Sequence, residues 1–169
     1  MTQTSTENAT LQDATHVASH GGAVTRCIWP GRTTLGECPT WDTRAERLYW
    51  IDSLEQNIWR AREDGTDATS WHLPEVIGSI GLCEDGRLIA GLEGGFAFVD
   101  LSGAAPQIER IGDPEPELGD TRLNDAKVDV QGRYWCGSMN KDFAAPNASL
   151  YRLDGDLTWT RADSGFTVS

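Results

Sequence analysis

Arg133-Tyr134-Trp135-Cys136-Gly137-Ser138 is the run that decides the fold, because two similar runs precede it. These are Arg47-Leu48-Tyr49-Trp50-Ile51-Asp52 and Arg87-Leu88-Ile89-Ala90-Gly91-Leu92. Each starts with Arg, continues with bulky apolar residues and follows a turn. Their starts lie 40 and 46 residues apart. A strand of related type comes after each: Asn57-Ile58-Trp59-Arg60, Gly95-Phe96-Ala97-Phe98-Val99-Asp100 and Ser149-Leu150-Tyr151-Arg152-Leu153. A period of about 40–45 residues with four strands per unit is the spacing of propeller blades. The chain is therefore expected to be all-β, with about three four-stranded blades of a β-propeller over residues 25–169.

Turn signals fall where such blades need them, at Asp64-Gly65, Asp85-Gly86, Gly94-Gly95, Gln131-Gly132 and Asp154-Gly155. No stretch holds a helical period. Residues 1–24 are rich in Thr, Ser, Ala, Asn and Gly and read as a flexible leader. A closed propeller needs at least about four blades. Three blades thus suggest a piece of a larger assembly.

Composition narrows the chemistry. The formal net charge of −12 argues against nucleic acid and anionic membrane as partners, since both need a basic face. The four cysteines form no CxxC pair, and the expected role of Cys83 and Cys136 is packing as small hydrophobes. Of the three histidines, His16 and His20 lie in the leader and His72 stands alone, which leaves little for a Ser-His-Asp triad or a His-rich zinc site. Without a basic start and an apolar run at the N-terminus, the expected location is cytoplasmic. Trp41, Trp50, Trp59 and Trp135 are expected to pack between blades. Asp113-Pro114-Glu115-Pro116-Glu117 reads as a solvated acidic loop.

The polar residues of interest are concentrated in Thr121 to Asn140, TRLNDAKVDVQGRYWCGSMN. In an alternating strand Arg122, Asn124 and Ala126 share one face, and Leu123 and Asp125 the other. A guanidinium and an amide side by side suit the hydroxyls and carbonyl of a polar small molecule. Asp125 is expected to brace the strand. Glu37, between Gly36 and the Cys38-Pro39 pair, is on its own residues most simply an exposed turn acid.

The stretch RLNDAKVDVQGRYWCGSM resembles the RxNDGKxDxxGRxxxGTM signature of the senescence-marker-protein, gluconolactonase and luciferin-regenerating-enzyme family. Leu35-Gly36-Glu37-Cys38-Pro39-Thr40-Trp41 is similar to its GE(G/S)PxW motif, and Ser149-Leu150-Tyr151-Arg152-Leu153 to its G-S-LYR strand. The resemblance covers about Cys27 to Ser169. It implies a six-bladed propeller, of which this chain would be the N-terminal half, and hydrolysis of a sugar lactone to the aldonic acid. It also implies a divalent cation (Ca2+, Zn2+, Mg2+ or Fe2+) with Glu37 as ligand. Arg122 and Asn124 match substrate-contacting positions. Asp142 stands where some members carry a glutamate near the sugar hydroxyls. The family's other two metal ligands, an asparagine and an aspartate two blades later, would follow Ser169. The aspartate expected as general base lies beyond Ser169 too, so no catalytic residue is expected within this chain. Departures are Cys38 for a small residue, Ala126 for glycine and Ser138 for threonine. The alternative reading is a non-catalytic propeller piece or interaction module.

Overall fold

The computed structural model describes residues 18–20 and 23–169. Most of the expected leader lies outside them, His16 included. Two short strands of that region, β1 (Ala18–His20) and β2 (Ala23–Thr25), pair antiparallel with each other.

From Gly36 onward the chain forms three antiparallel four-stranded sheets in sequence order. The first is β3 (Gly36–Asp42), β4 (Arg47–Asp52), β5 (Asn57–Ala61) and β6 (Thr69–His72). The second is β7 (Ile77–Leu82), β8 (Leu88–Leu92), β9 (Gly95–Asp100) and β10 (Gln107–Gly112). The third is β11 (Thr121–Val128), β12 (Tyr134–Asn140), β13 (Ala148–Leu153) and β14 (Trp159–Phe166). These are three propeller blades. Their first strands lie next to one another, β3 against β7 and β7 against β11.

Apolar residues on facing sheets fill the gaps between blades. Ile51, Ile58, Ile77, Leu92 and Val99 form one cluster between the first and second blades, with Cys38 and Tyr49. Phe96, Leu123, Cys136, Tyr151 and Leu153 form another between the second and third. Burial of this apolar area is the main favourable term in the fold.

The tryptophans do not fill these gaps as the sequence suggested. Trp41 is 41% exposed. Trp50 and Trp59 are opposite each other across β4 and β5 and stack at 5.9 Å, half-buried. Trp135 is half-buried beside the guanidiniums of Arg133 and Arg152. Aliphatic residues with Tyr49 fill the first gap, and Phe96, Tyr134 and Tyr151 with aliphatic residues fill the second, where Trp159 packs on Phe96 at 6.1 Å.

Each first strand carries one extra residue near its start. Three residues of β3 from Glu37 to Thr40 span two of β4, the same holds for Leu123 to Ala126 against β12, and β7 slips between Ile77 and Ser79. Such bulges bend a strand and turn its later side chains to the opposite face. The bulges meet. A Cβ on Gly78 would lie 2.3 Å from the Leu123 carbonyl oxygen and 2.7 Å from Asn124 Cα. Beside it Ser79 Oγ donates to the Asn124 carbonyl at 2.6 Å and accepts from the Tyr134 hydroxyl at 2.9 Å. Burial keeps both Tyr134 and Cys136 protonated, the Cys136 thiol being pushed up to about 12. On the other side of β7 the Cys38 thiol lies 3.3 Å from both the amide nitrogen and the carbonyl oxygen of Ile80. Cys38 has φ +54°, a conformation that costs a Cβ-bearing residue about 1–2 kcal/mol.

The Arg that opens each repeated run is explained at the far end of the sheets. Arg87 pairs with Asp85, and Arg133 with Asp129, in the turns between first and second strands. Arg47 reaches Asp67. Asp129 is the most fully engaged: its carboxylate accepts from the Gln131 and Arg133 amides, Arg133 Nε and the Trp135 indole. Partial desolvation raises its pKa, but these donors outweigh it and hold the carboxyl well below the usual carboxylate range.

Two outcomes follow for stability. Gly78→Ala should cost about 1–3 kcal/mol, because only backbone atoms could give way. Gly119→Ala, with no atom within 4 Å of its added Cβ, serves as the control. Equal denaturant midpoints for the two variants would contradict the close approach. Asp129 has its pKa lowered on folding, so its stabilisation is complete above the unfolded carboxylate value of about 4 and is lost as pH falls below it. Asp129→Asn should lower stability at pH 7 and flatten the acid limb of a stability–pH curve measured between about pH 5 and 2.

Candidate functional site

The antiparallel order puts the starts of β3, β7 and β11 and the ends of β4, β8 and β12 on one rim. Glu37, Arg122, Asn124 and Asp142 all belong to this end. Asp129 belongs to the opposite one.

Glu37 is second in β3, just before the bulge. Its approach is fixed by the buried Asp52 at the end of β4, which accepts the Thr34 and Leu35 amides at 2.8 and 3.0 Å. Glu37 itself is half-buried, and its carboxylate accepts no hydrogen bond among the described residues. A half-buried carboxylate left without donors is costly unless water or a cation meets it. Placement at the inner rim thus departs from the simple exposed turn acid.

Arg122 and Asn124 share one face of β11, as alternation suggested. Arg122 Nη1 donates to the Leu123 carbonyl at 3.0 Å and to Asn124 Oδ1 at 3.4 Å. Burial lowers the Arg122 pKa, against the attraction of the Glu37 and Glu93 carboxylates. Glu37 on the first blade and Arg122 on the third are therefore electrostatic neighbours. Asn124 Nδ2 donates to the Ser169 carbonyl at 2.9 Å. Residues 167–169 run along the end of β12, with Val168 bridged to Met139.

Ala126 corrects the strict alternation. The bulge turns it into the core with Leu123, away from Arg122 and Asn124. It is not among the residues with positive φ, so alanine replaces glycine there without backbone strain. Asp125 is exposed and accepts the Ala126 amide at 2.8 Å, which supports the bulge.

Asp142 is exposed in the β12–β13 loop and shares no hydrogen bond with Glu37, Arg122 or Asn124. Its loop is well fixed. The buried Asn140 accepts the Asp142 and Ala144 amides and donates to Asp120 and Asn147.

A cleft of about 150 Å³ opens beside Arg122, between the tops of the second and third blades. Glu93, Glu115, Thr121 and Lys141 help to line it. Neither Glu93 nor Lys141 was singled out in the sequence. They lie 48 residues apart and pair at 3.0 Å, Lys141 donating to Glu93. Glu115 overturns the solvated-loop expectation. It is 8% exposed, and its Oε1 accepts the Ser138 and Tyr151 hydroxyls at 2.7 and 3.0 Å. The acidic loop is thus pinned to the third blade and forms one wall of the cleft.

A hard divalent cation takes several oxygen ligands, about six to eight for calcium. Glu37 suits one of these positions by its chemistry and its lack of donors. Among the described residues no three His, Cys, Asp or Glu side chains gather to complete a site.

Comparison with known proteins agrees with this architecture. The chain is 41% identical over 133 residues to L-arabinolactonase of Azospirillum brasilense, covering 77% of this chain and 43% of that protein. It is 31% identical to 6-deoxy-6-sulfogluconolactonase of Pseudomonas putida, covering 78% and 44%. A luciferin-regenerating enzyme structure superposes with a TM-score of 0.74 at 31% identity, over 80% of this chain and 47% of that one. Regucalcin from Agrobacterium tumefaciens, described as calcium-binding, shares the fold with a TM-score of 0.76 at 19% identity. The chain spans about half the length of the curated relatives it matches. The SMP-30/gluconolactonase/LRE-like region is matched over residues 35–169, and the chain belongs to that family.

Proposed function

We propose that this chain carries one half of a sugar-lactone hydrolase site, in which Glu37 is a ligand of a divalent cation and Arg122 and Asn124 hold the lactone. The observation that carries the reading is the convergence of an undonated carboxylate with a guanidinium–amide pair on one rim. Relatives that are themselves lactonases support it. The cation would be Ca2+, Zn2+, Mg2+ or Fe2+, since oxygen ligands suit several hard or borderline metals. When bound, it polarises a carbonyl oxygen and lowers the pKa of a bound water.

The chain's own groups have separate roles. Arg122 presents a guanidinium whose charge is fixed at any physiological pH, so it can donate to the ring or carbonyl oxygen of a lactone. Asn124 offers both a donor and an acceptor to the sugar hydroxyls. Asp142, exposed on a rigid loop, would reach a hydroxyl directly or through water. None of these is a suitable general base, and we assign none in this chain. The aspartate expected for that role by family resemblance would come from beyond Ser169.

A second reading is a propeller half that binds ligand without turnover. Both readings share the lack of a three-ligand cluster among the described residues. An assay separates the two. Hydrolysis of L-arabino- and D-glucono-lactone should be low for this chain alone. It should appear, chelator-sensitive, when the chain is fused to the C-terminal half of the Azospirillum relative. Fusion without activity would leave the binding reading.

In the active fusion, Glu37→Gln should cut kcat/KM at least about 100-fold and abolish metal binding followed by calorimetry. Arg122→Ala should raise KM about tenfold with metal binding intact. Asp129→Asn, altered at the opposite rim, should change neither. Metal affinity unaffected by Glu37→Gln would remove that residue from the cation site.

A further inference from the structure

The cleft beside Arg122 holds charges that the proposed reaction does not use. Lys141 enters from the β12–β13 loop and Glu93 from the β8–β9 turn, and they meet across the boundary between blades at 3.0 Å. Their side chains are 35% and 39% exposed, and ion pairs at such exposure add little to stability. Their effect is on the field inside the cleft. Glu93 cancels the charge of Lys141 and also attracts Arg122. Asp113 and Glu115 line the same space, and Glu115 is already committed to two hydroxyls. The cleft therefore sets two cations, Lys141 paired with Glu93 and Arg122 without an ion pair of its own among the described residues, against three carboxylates.

We infer that Glu93 is a specificity-determining residue that restricts this cleft to uncharged polyhydroxy lactones and excludes those carrying a phosphate or sulfonate. The inference rests on the lactone reading of the same site. Discrimination of this kind works through repulsion as much as attraction: an anionic substituent would share the cleft with Glu93 and Asp113 as well as with Arg122 and Lys141. A hydroxyl-bearing lactone meets no such penalty, because carboxylates accept hydrogen bonds from hydroxyls. Loss of the Glu93 charge would leave Lys141 unpaired beside Arg122, a combination suited to a tetrahedral anion.

The test is binding to the 169-residue chain, followed by NMR shifts of the Arg122 side chain, with D-ribono-1,4-lactone and its 5-phosphate as probes. The native chain should bind the neutral lactone at least about tenfold more tightly than the phosphate ester. Glu93→Gln should shrink that ratio about tenfold, chiefly by tighter binding of the ester. Adding Lys141→Met to Glu93→Gln should reverse the gain. An unchanged ratio in Glu93→Gln, with neutral lactone still bound, overturns this inference alone. So does equal binding of both probes by the native chain, or a gain that survives loss of Lys141. If the native chain binds neither probe, the lactone reading falls, and this inference with it.

Discussion

The hydrogen bond from Ser79 to the Asn124 carbonyl, over the bare Cα of Gly78, is the contact on which the rim depends. It joins the first strands of two blades at the point where both are bulged. A strand of regular pleat would present Asn124 and Ala126 together and leave no closure over the second blade. The extra residue allows Arg122 and Asn124 to look toward the rim while Ala126 seals the core. The Cys38 thiol, held by both backbone groups of Ile80, is the equivalent join between the first two blades. One kind of irregularity, repeated three times, thus converts three ordinary sheets into supports for polar groups.

These joins also explain how the Glu37 carboxylate is held without a hydrogen bond of its own among the described residues. Glu37 and Arg122 are kept in range by the blades beneath them, not by a direct ion pair among the described residues. Pre-organisation of this kind leaves the Glu37 carboxylate open to a ligand. Loop positions are treated differently. Asp142 depends on Asn140, which uses its whole amide to hold a single turn.

Much of this was legible in the sequence. The recurrence of Arg-led apolar runs marked the blades, and the same-face relation of Arg122 and Asn124 followed from a period of two. What the sequence hid is what depends on partners distant along the chain. The bulge in β11 packs over Gly78, some 45 residues earlier, and simple alternation therefore misplaced Ala126. Glu115 looked solvated because its hydroxyl partners, Ser138 and Tyr151, come 23 and 36 residues later. Glu93 and Lys141 carry no local signal at all. The four tryptophans named from the sequence lie outside the two described gaps, which aliphatic side chains, Phe96 and tyrosines fill.

The two ends of each blade answer to different demands. Asp85 with Arg87, and Asp129 with Arg133, tie off hairpins at one extremity, while the charged groups around Arg122 occupy the other. A blade's length of β-sheet separates them. Change at the hairpin end alters how firmly the chain holds its shape, and change at the other alters what it can hold. Drift in ligand preference and drift in robustness can therefore proceed along this chain as nearly independent histories.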